Sequence, residues 1–319
     1  MRNEPFATPI ERSGNTLTGP WRAPLQMLAE QQYDADGSIH DDATAQKLGF
    51  RGGTIEGPTH FTQFEPLAFA LWGERWFSEG CISAHYRSVV YEGERVRAIM
   101  TQAGDDHATI TMEKEDGTEV LRGTASVGSS APPSALEERL KTLPPPGTMV
   151  ILRDIRVGLK TPRRKVAMSA GENMGALYPF SLAQKLTKIT EPSPWYDAAG
   201  AHTSPFDRAI IPVEMISVLL NYTSKIDALL VRGGAIGLFA DQEIKLIKGP
   251  LFVGEAYEIE REVVALSGSK RTESMWIRTG VYAPGSNEVL ASMLLNIASL
   301  KESYPNYAAE LAEIEALGA

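Results

Sequence analysis

Hydrophobic and polar positions divide the chain into two runs with a similar order of elements. The first extends from Trp21 to about Val127 and opens with "LQMLAEQQY". Between His60 and Trp76 the segment "FTQFEPLAFALW" is apolar on nearly every side, which predicts a helix covered all round. Three strand-like runs follow: "ISAHYRSVVY", "RVRAIMTQAG" and "HATITMEKEDGTEVLRGTASVG". The last carries "EDGT" between two alternating stretches, a hairpin signal. The second run, from Met149 to about Leu300, begins with a strand-like "MVILRDIRVGL" and continues into a helical "IIPVEMISVLLNYTSKIDALLV". It ends on four strand candidates, "FADQEIKLI", "EAYEIEREVVAL", "TESMWIRTGVY" and "EVLASMLLNIASL".

The stretch between the runs, residues 129–148, reads as a Pro-rich linker containing a short charged helix. Residues 1–20 read as an N-terminal arm, and residues 305–319 as an acidic surface helix. Two segment pairs recur in order. "RSVVYEGERV" from Arg87 matches "KGPLFVGEAY" from Lys248, and "TEVLRGTASV" from Thr118 matches "NEVLASMLLN" from Asn287, at separations of 161 and 169 residues. The expected fold is therefore α+β, with two tandem domains at 21–128 and 149–304. In each, an antiparallel sheet wraps one helix, and the two sheets can join edge to edge with a pocket between the helices.

Composition narrows the class. Of 319 residues, 43% are hydrophobic and 22% charged, as in ordinary soluble domains. A formal charge of −9 argues against a nucleic-acid partner. Cys81 is the only cysteine, so no intrachain disulfide or thiolate cluster is possible, which fits a reducing compartment. The start has no signal-peptide core, and the longest apolar runs fall short of the roughly 20 residues that span a bilayer. The expectation is a cytoplasmic protein without a membrane partner.

Candidate chemistry concentrates in "DGSIHDDATAQKLGFRGGTIEGP", Asp36 to Pro58. His40 among acids suits a proton shuttle, since imidazole titrates near neutrality. Asp36 could orient it, and Gly57 at a helix start could offer a backbone N–H to a developing oxyanion. The competing reading is a helix capped by Asp41 or Asp42, with His40 merely flanking it and "YDADGS" an ordinary turn. His60 and Glu65 lie on the apolar helical segment, where a carboxylate is costly unless paired or functional. Glu65 is thus a candidate base or substrate contact, although Pro66 behind it also marks a kink or helix start. His85 reads as a half-exposed strand residue, and His202 as a lesser pocket candidate. Arg163, Arg164 and Lys165 could meet phosphates or form a solvated loop. No histidine spacing suits a metal, and no Gly-rich nucleotide loop or GxSxG elbow occurs.

These residues resemble the MaoC-like (R)-specific enoyl-thioester hydratases and dehydratases in their fused double-hotdog form. That motif runs from an Asp through Asn-Pro to a His, then a helix, Gly-Phe and Ile-x-x-Gly. Asp36, Ser38, Ile39, His40, Ala43, Ala45, Gly49, Phe50, Ile55 and Gly57 stand in these places. Gly37-Ser38 replaces Asn-Pro, the Asp-to-His separation is one residue short, and the second unit lacks the motif. The resemblance implies hydration or dehydration of an acyl thioester, with His40, Asp36 and Gly57 as the acid–base and oxyanion groups. Coenzyme A or an acyl carrier would then be part of the substrate, and no further cofactor is needed. A thioesterase using Glu65, and a diverged binder of an acyl or polycyclic ligand, stay open as alternatives. So do a monomer with an internal pseudo-dimer and a homo-oligomer.

Overall fold

The computed structural model describes residues 4–31, 38–226, 229 and 231–318. Its strands are β1 (Glu11–Ser13), β2 (Thr16–Thr18), β3 (Gly80–Tyr86), β4 (Val96–Gln102), β5 (His107–Lys114), β6 (Glu119–Val127), β7 (Arg164–Ala167), β8 (Gly237–Leu246), β9 (Ala256–Gly268), β10 (Thr272–Tyr282) and β11 (Val289–Leu300). The helices are α1 (Asp42–Lys47), α2 (Glu65–Trp72), α3 (Arg75–Glu79), α4 (Ala135–Lys141), α5 (Leu182–Leu186), α6 (Val213–Asn221) and α7 (Tyr307–Gly318). A 3-10 segment, Gly57–Phe64, runs directly into α2. No helix among the described residues is long and apolar enough to cross a membrane.

All strands join one antiparallel sheet in the order β1-β2-β4-β5-β6-β3-β8-β11-β10-β9-β7. From the β3–β8 junction outward the two sides read alike: β3-β6-β5-β4-β2 against β8-β11-β10-β9-β7. The repeated sequences fall at matching places. Gly93 and Gly254, both at positive φ, precede β4 and β9, and the two Glu-Val-Leu triplets open β6 and β11. Each half also starts its central helical segment at a proline, Pro58 and Pro212.

The burial predicted for the first segment holds from His60 to Ala68 but not to its end, where Ala70 is exposed. Phe61, Phe64 and Leu67 in one, and Met215, Leu219 and Leu220 in the other, are fully buried. Each such side chain contributes about 1.5–3 kcal/mol on leaving water. The sheet covers one side of each segment, and the other segment covers part of the remainder.

Three expectations need correction. Residues 1–20 are not a detached arm: β1 and β2 form a hairpin, β2 pairs with β4 at Thr16↔Thr101, and Leu17 and Phe6 enter the core. "MVILRDIRVGL" is not a strand but a series of turns. Val150, Ile151, Leu152 and Ile155 bury themselves against Val263, Met275 and Ile277. The buried carboxylate of Glu273 accepts the N–H groups of Val150 and Leu152 at 2.8 and 3.0 Å, satisfying backbone that no ladder reaches. "ISAHYRSVVY" is a strand only as far as Tyr86.

The linker does contain its short helix, and α4 lies across the β3–β8 seam. Ser134 caps it and also bonds Glu243 of β8, Arg139 lies 3.4 Å from Asp241, and Leu136 packs on Trp276 and Leu294.

Candidate active site

The β3–β8 ladder runs from Cys81↔Lys245 to His85↔Asp241 and stops. Beyond that point the chains part, and a cavity of about 710 Å³ opens between residues 86–90 of one half and 235–240 of the other. His40, Ile55, Gly57 and His60 line it from the first half, Tyr178 and Asn221 from the second.

His40 stands one residue ahead of Asp41, whose carboxylate caps α1 by accepting the Thr44 N–H at 2.8 Å. Asp41 thus caps the helix while its neighbour His40 lines the cavity. The Nδ1 of His40 is 2.8 Å from the Thr54 carbonyl oxygen. A carbonyl only accepts, so Nδ1 carries the proton and Nε2 keeps its lone pair. Thr54 is fixed in turn, its N–H donating to Ile39 O at 3.1 Å. Asp36 lies outside the described residues. An acid the sequence reading passed over, Glu56, also lines the cavity; its carboxylate accepts from the Met27 N–H at 3.0 Å and from the Thr59 hydroxyl at 3.3 Å.

Gly57 begins the 3-10 segment at the cavity wall, where the first N–H groups of a helix have no intrahelical acceptor. A Cβ there would stand 2.7 Å from the Tyr86 ring, so only glycine lets that ring lie on the backbone. Tyr86 stacks on Phe61 and donates its hydroxyl to Gln242 of the other half at 3.1 Å.

His60 is buried in the cavity lining, and its Nδ1 meets no hydrogen-bond partner. Burial, with Lys185 and Lys114 nearby, pushes its pKa down to about 3, so the ring is neutral.

Glu65 does not line this cavity. It sits at the junction of the 3-10 segment and α2, as the Pro66 signal allowed, and links the halves. The Tyr196 hydroxyl and the Val213 N–H, at 3.2 Å, both donate to its carboxyl group. Burial raises its pKa to about 8, against the pull of those two donors. It borders a separate void of about 20 Å³, room for a single water. This placement puts it away from the cavity in which a substrate role was expected.

Arg163, Arg164 and Lys165 are likewise misplaced as phosphate contacts. Arg164 and Lys165 start β7, the far edge of the sheet, Arg163 directly precedes it, and all three are absent from the cavity lining. The Arg163 guanidinium lies 3.9 Å over the Tyr282 ring and bonds the Asn287 side chain at 2.9 Å. His202 is exposed in a 3-10 turn away from the cavity. His85 pairs at 2.7 Å with the fully buried Asp241 across the seam.

Tyr178, Asn221 and the rim cations Arg87 and Arg139 were not anticipated. Asn221 left one trace, an amide closing the apolar run "ISVLLN". Tyr178 lies in a loop without periodicity.

No family model matches the sequence, and no curated protein matches it. Solved structures do. A MaoC domain protein dehydratase of Chloroflexus aurantiacus J-10-fl superposes with a TM-score of 0.57 at 14% identity, over 93% of this chain and 96% of that one. A double-hotdog protein of Mycobacterium tuberculosis, essential for survival during infection, gives 0.49 at 12% identity, covering 88% and 94%. The dehydratase domain of PpsC from the same organism, solved with C12:1-CoA, gives 0.48 at 11%, covering 93% and 98%. At such identities the likeness is one of fold, and the fold is two tandem hotdog domains sharing one sheet.

Proposed function

We propose that the protein is a hydratase or dehydratase of acyl thioesters, interconverting α,β-unsaturated and 3-hydroxy forms. One observation carries this reading: the Thr54 carbonyl holds His40 in the tautomer whose Nε2 is basic, at the wall of a cavity shared by both halves. In the hydration direction Nε2 takes a proton from water as the oxygen bonds the β-carbon. Charge then develops on the thioester oxygen, where the N–H at Gly57 donates. The α-carbon recovers a proton from the imidazolium or from an acid beside it, so the elements of water are added and none are lost. Asp36 is our candidate for that acid or for orienting the ring. Coenzyme A or an acyl carrier enters as part of the substrate, its phosphates within reach of the exposed rim cations Arg87 and Arg139.

The resemblance around His40 and the fold shared with a MaoC domain dehydratase support the reading. The thioesterase alternative loses support because Glu65 faces Tyr196 and Val213. The missing Asn-Pro pair favours the diverged-binder alternative. Crotonyl-CoA and longer trans-2-enoyl-CoA substrates, followed by loss of the enoyl absorbance, decide between them. His40→Ala should lower turnover by roughly 10²–10⁴-fold. Full activity in that variant, or ligand binding with no turnover by the parent protein, would end the assignment.

A further inference from the structure

An unfunctionalised acyl chain needs only apolar walls, yet this cavity buries hydrogen-bonding side chains in its lining. His60 is 2% exposed and Asn221 8%. A buried polar group without a partner costs about 1–3 kcal/mol, so such groups in a ligand cavity ask for a ligand that answers them. His60 is uncharged, as shown above; its Nδ1 is enclosed by protein atoms, so contact with a ligand falls to the rest of the ring. Asn221 closes α6, and its Nδ2 donates to the Tyr178 hydroxyl at 2.8 Å, which fixes the plane of the amide.

A hydrogen-bonded chain ties the Tyr178–Asn221 side of the cavity to the His40 loop. The Ser38 hydroxyl lies 3.2 Å from the His40 N–H and donates to Gln31 Oε1 at 2.7 Å. Gln31 Nε2 donates to the carbonyl of Leu177, the neighbour of Tyr178, at 2.8 Å. The two halves thus bring a basic imidazole and a second, neutral polar set to one cavity.

We infer that the acyl part of the substrate bears an uncharged hydrogen-bonding oxygen (a hydroxyl, ketone or ether) beyond the reacting carbons, received by His60 and Asn221. Lys185, the stronger of the two cationic influences on His60, is already paired with Glu214 at 3.5 Å, so a buried carboxylate there gains no free counter-charge. The inference rests on the acyl-thioester reading and names the substrate class within it.

The test uses the full chain and three enoyl-CoA substrates of equal length: plain, hydroxylated or ketonic away from the reacting carbons, and carboxylate-ended. The oxygenated compound should exceed the plain one in kcat/KM by roughly 10–100-fold, with the carboxylate last. Asn221→Leu and His60→Phe should each bring the first two within about threefold, while His60→Gln should keep part of the preference. Circular dichroism checks folding, and if His60→Phe does not fold, Asn221→Leu and His60→Gln decide. A parent protein that prefers the plain or the carboxylated chain overturns the inference, as does an unchanged ratio in the folded variants. Absence of all turnover defeats the hydratase reading separately. In that event the saturated CoA analogues, compared by calorimetry, decide the same ratio: tighter binding of the oxygenated analogue sustains the inference, and equal or undetectable binding overturns it.

Discussion

Two residues past the opening proline, one half carries His60 and the other Glu214. Both are buried where the central helical segments meet, and their chemistry is opposite. Burial pushes the histidine down to about 3 and the glutamate up to about 7. The duplicated fold thus imposes one condition, little charge, on two different side chains. Lys185 relieves it on one side only, lying 3.5 Å from Glu214 and 3.0 Å from the Thr59 hydroxyl. The halves have diverged in chemistry while keeping the same electrostatic niche, and only the first supplies an imidazole in the geometry of His40.

The largest expected effect contrasts the halves directly. His40→Ala should lose the roughly 10²–10⁴-fold given above, whereas His202→Ala, in the corresponding region of the second half, should leave turnover unchanged. A comparable loss in both would erase the asymmetry. Next in size is Lys185→Met, which strips Glu214 of its cation. At pH 8 this should cost about 3 kcal/mol in chemical denaturation, and clearly less at pH 5, where Glu214 is protonated. An equal cost at both values would mean that Lys185 acts through packing alone.

The pH profile itself is third. Glu65 and Glu214 have folded pKa values raised from 4.5 to about 8 and about 7. Their contribution is whole below pH 4.5 and is lost as pH rises towards those values. His60 is depressed from 6.5 to about 3, so its contribution is present above pH 6.5 and lost as pH falls towards 3. Glu65→Gln keeps an acceptor for the Val213 N–H and should shallow the alkaline decline in melting temperature. An unaltered slope would reassign that decline. The smallest effect belongs to Arg163→Ala, which should shift stability by about 0.5 kcal/mol or less and leave turnover intact, since the residue lies just before β7 and outside the cavity lining.

Where local pattern and tertiary role coincide, the chain could be read directly. The Glu-Val-Leu and Gly-Glu repeats mark matching strands, and His40 with Gly57 form a short-range motif that reaches one cavity. Reading failed where the deciding partner is remote. Glu65 is interpreted by Tyr196 and Val213, 131 and 148 residues onward. Asn221 and Tyr178 matter only because the halves meet. β2 escaped notice since a three-residue strand with one apolar side chain has no period to detect, and Val150–Ile155 misled because burial without alternation also describes packed turns.

The sheet's outermost strands, β1 and β7, span only three and four residues, and Arg164 and Lys165 lie on the latter. Long open edges would invite lateral growth into polymers, and short or cationic ones discourage it. The longer edges, β3 and β8, have been spent on each other within the chain. Joining two copies in one polypeptide therefore removes the adhesive surface that a free half would expose, and the basic segment on β7 gains a reason to be there that involves no ligand.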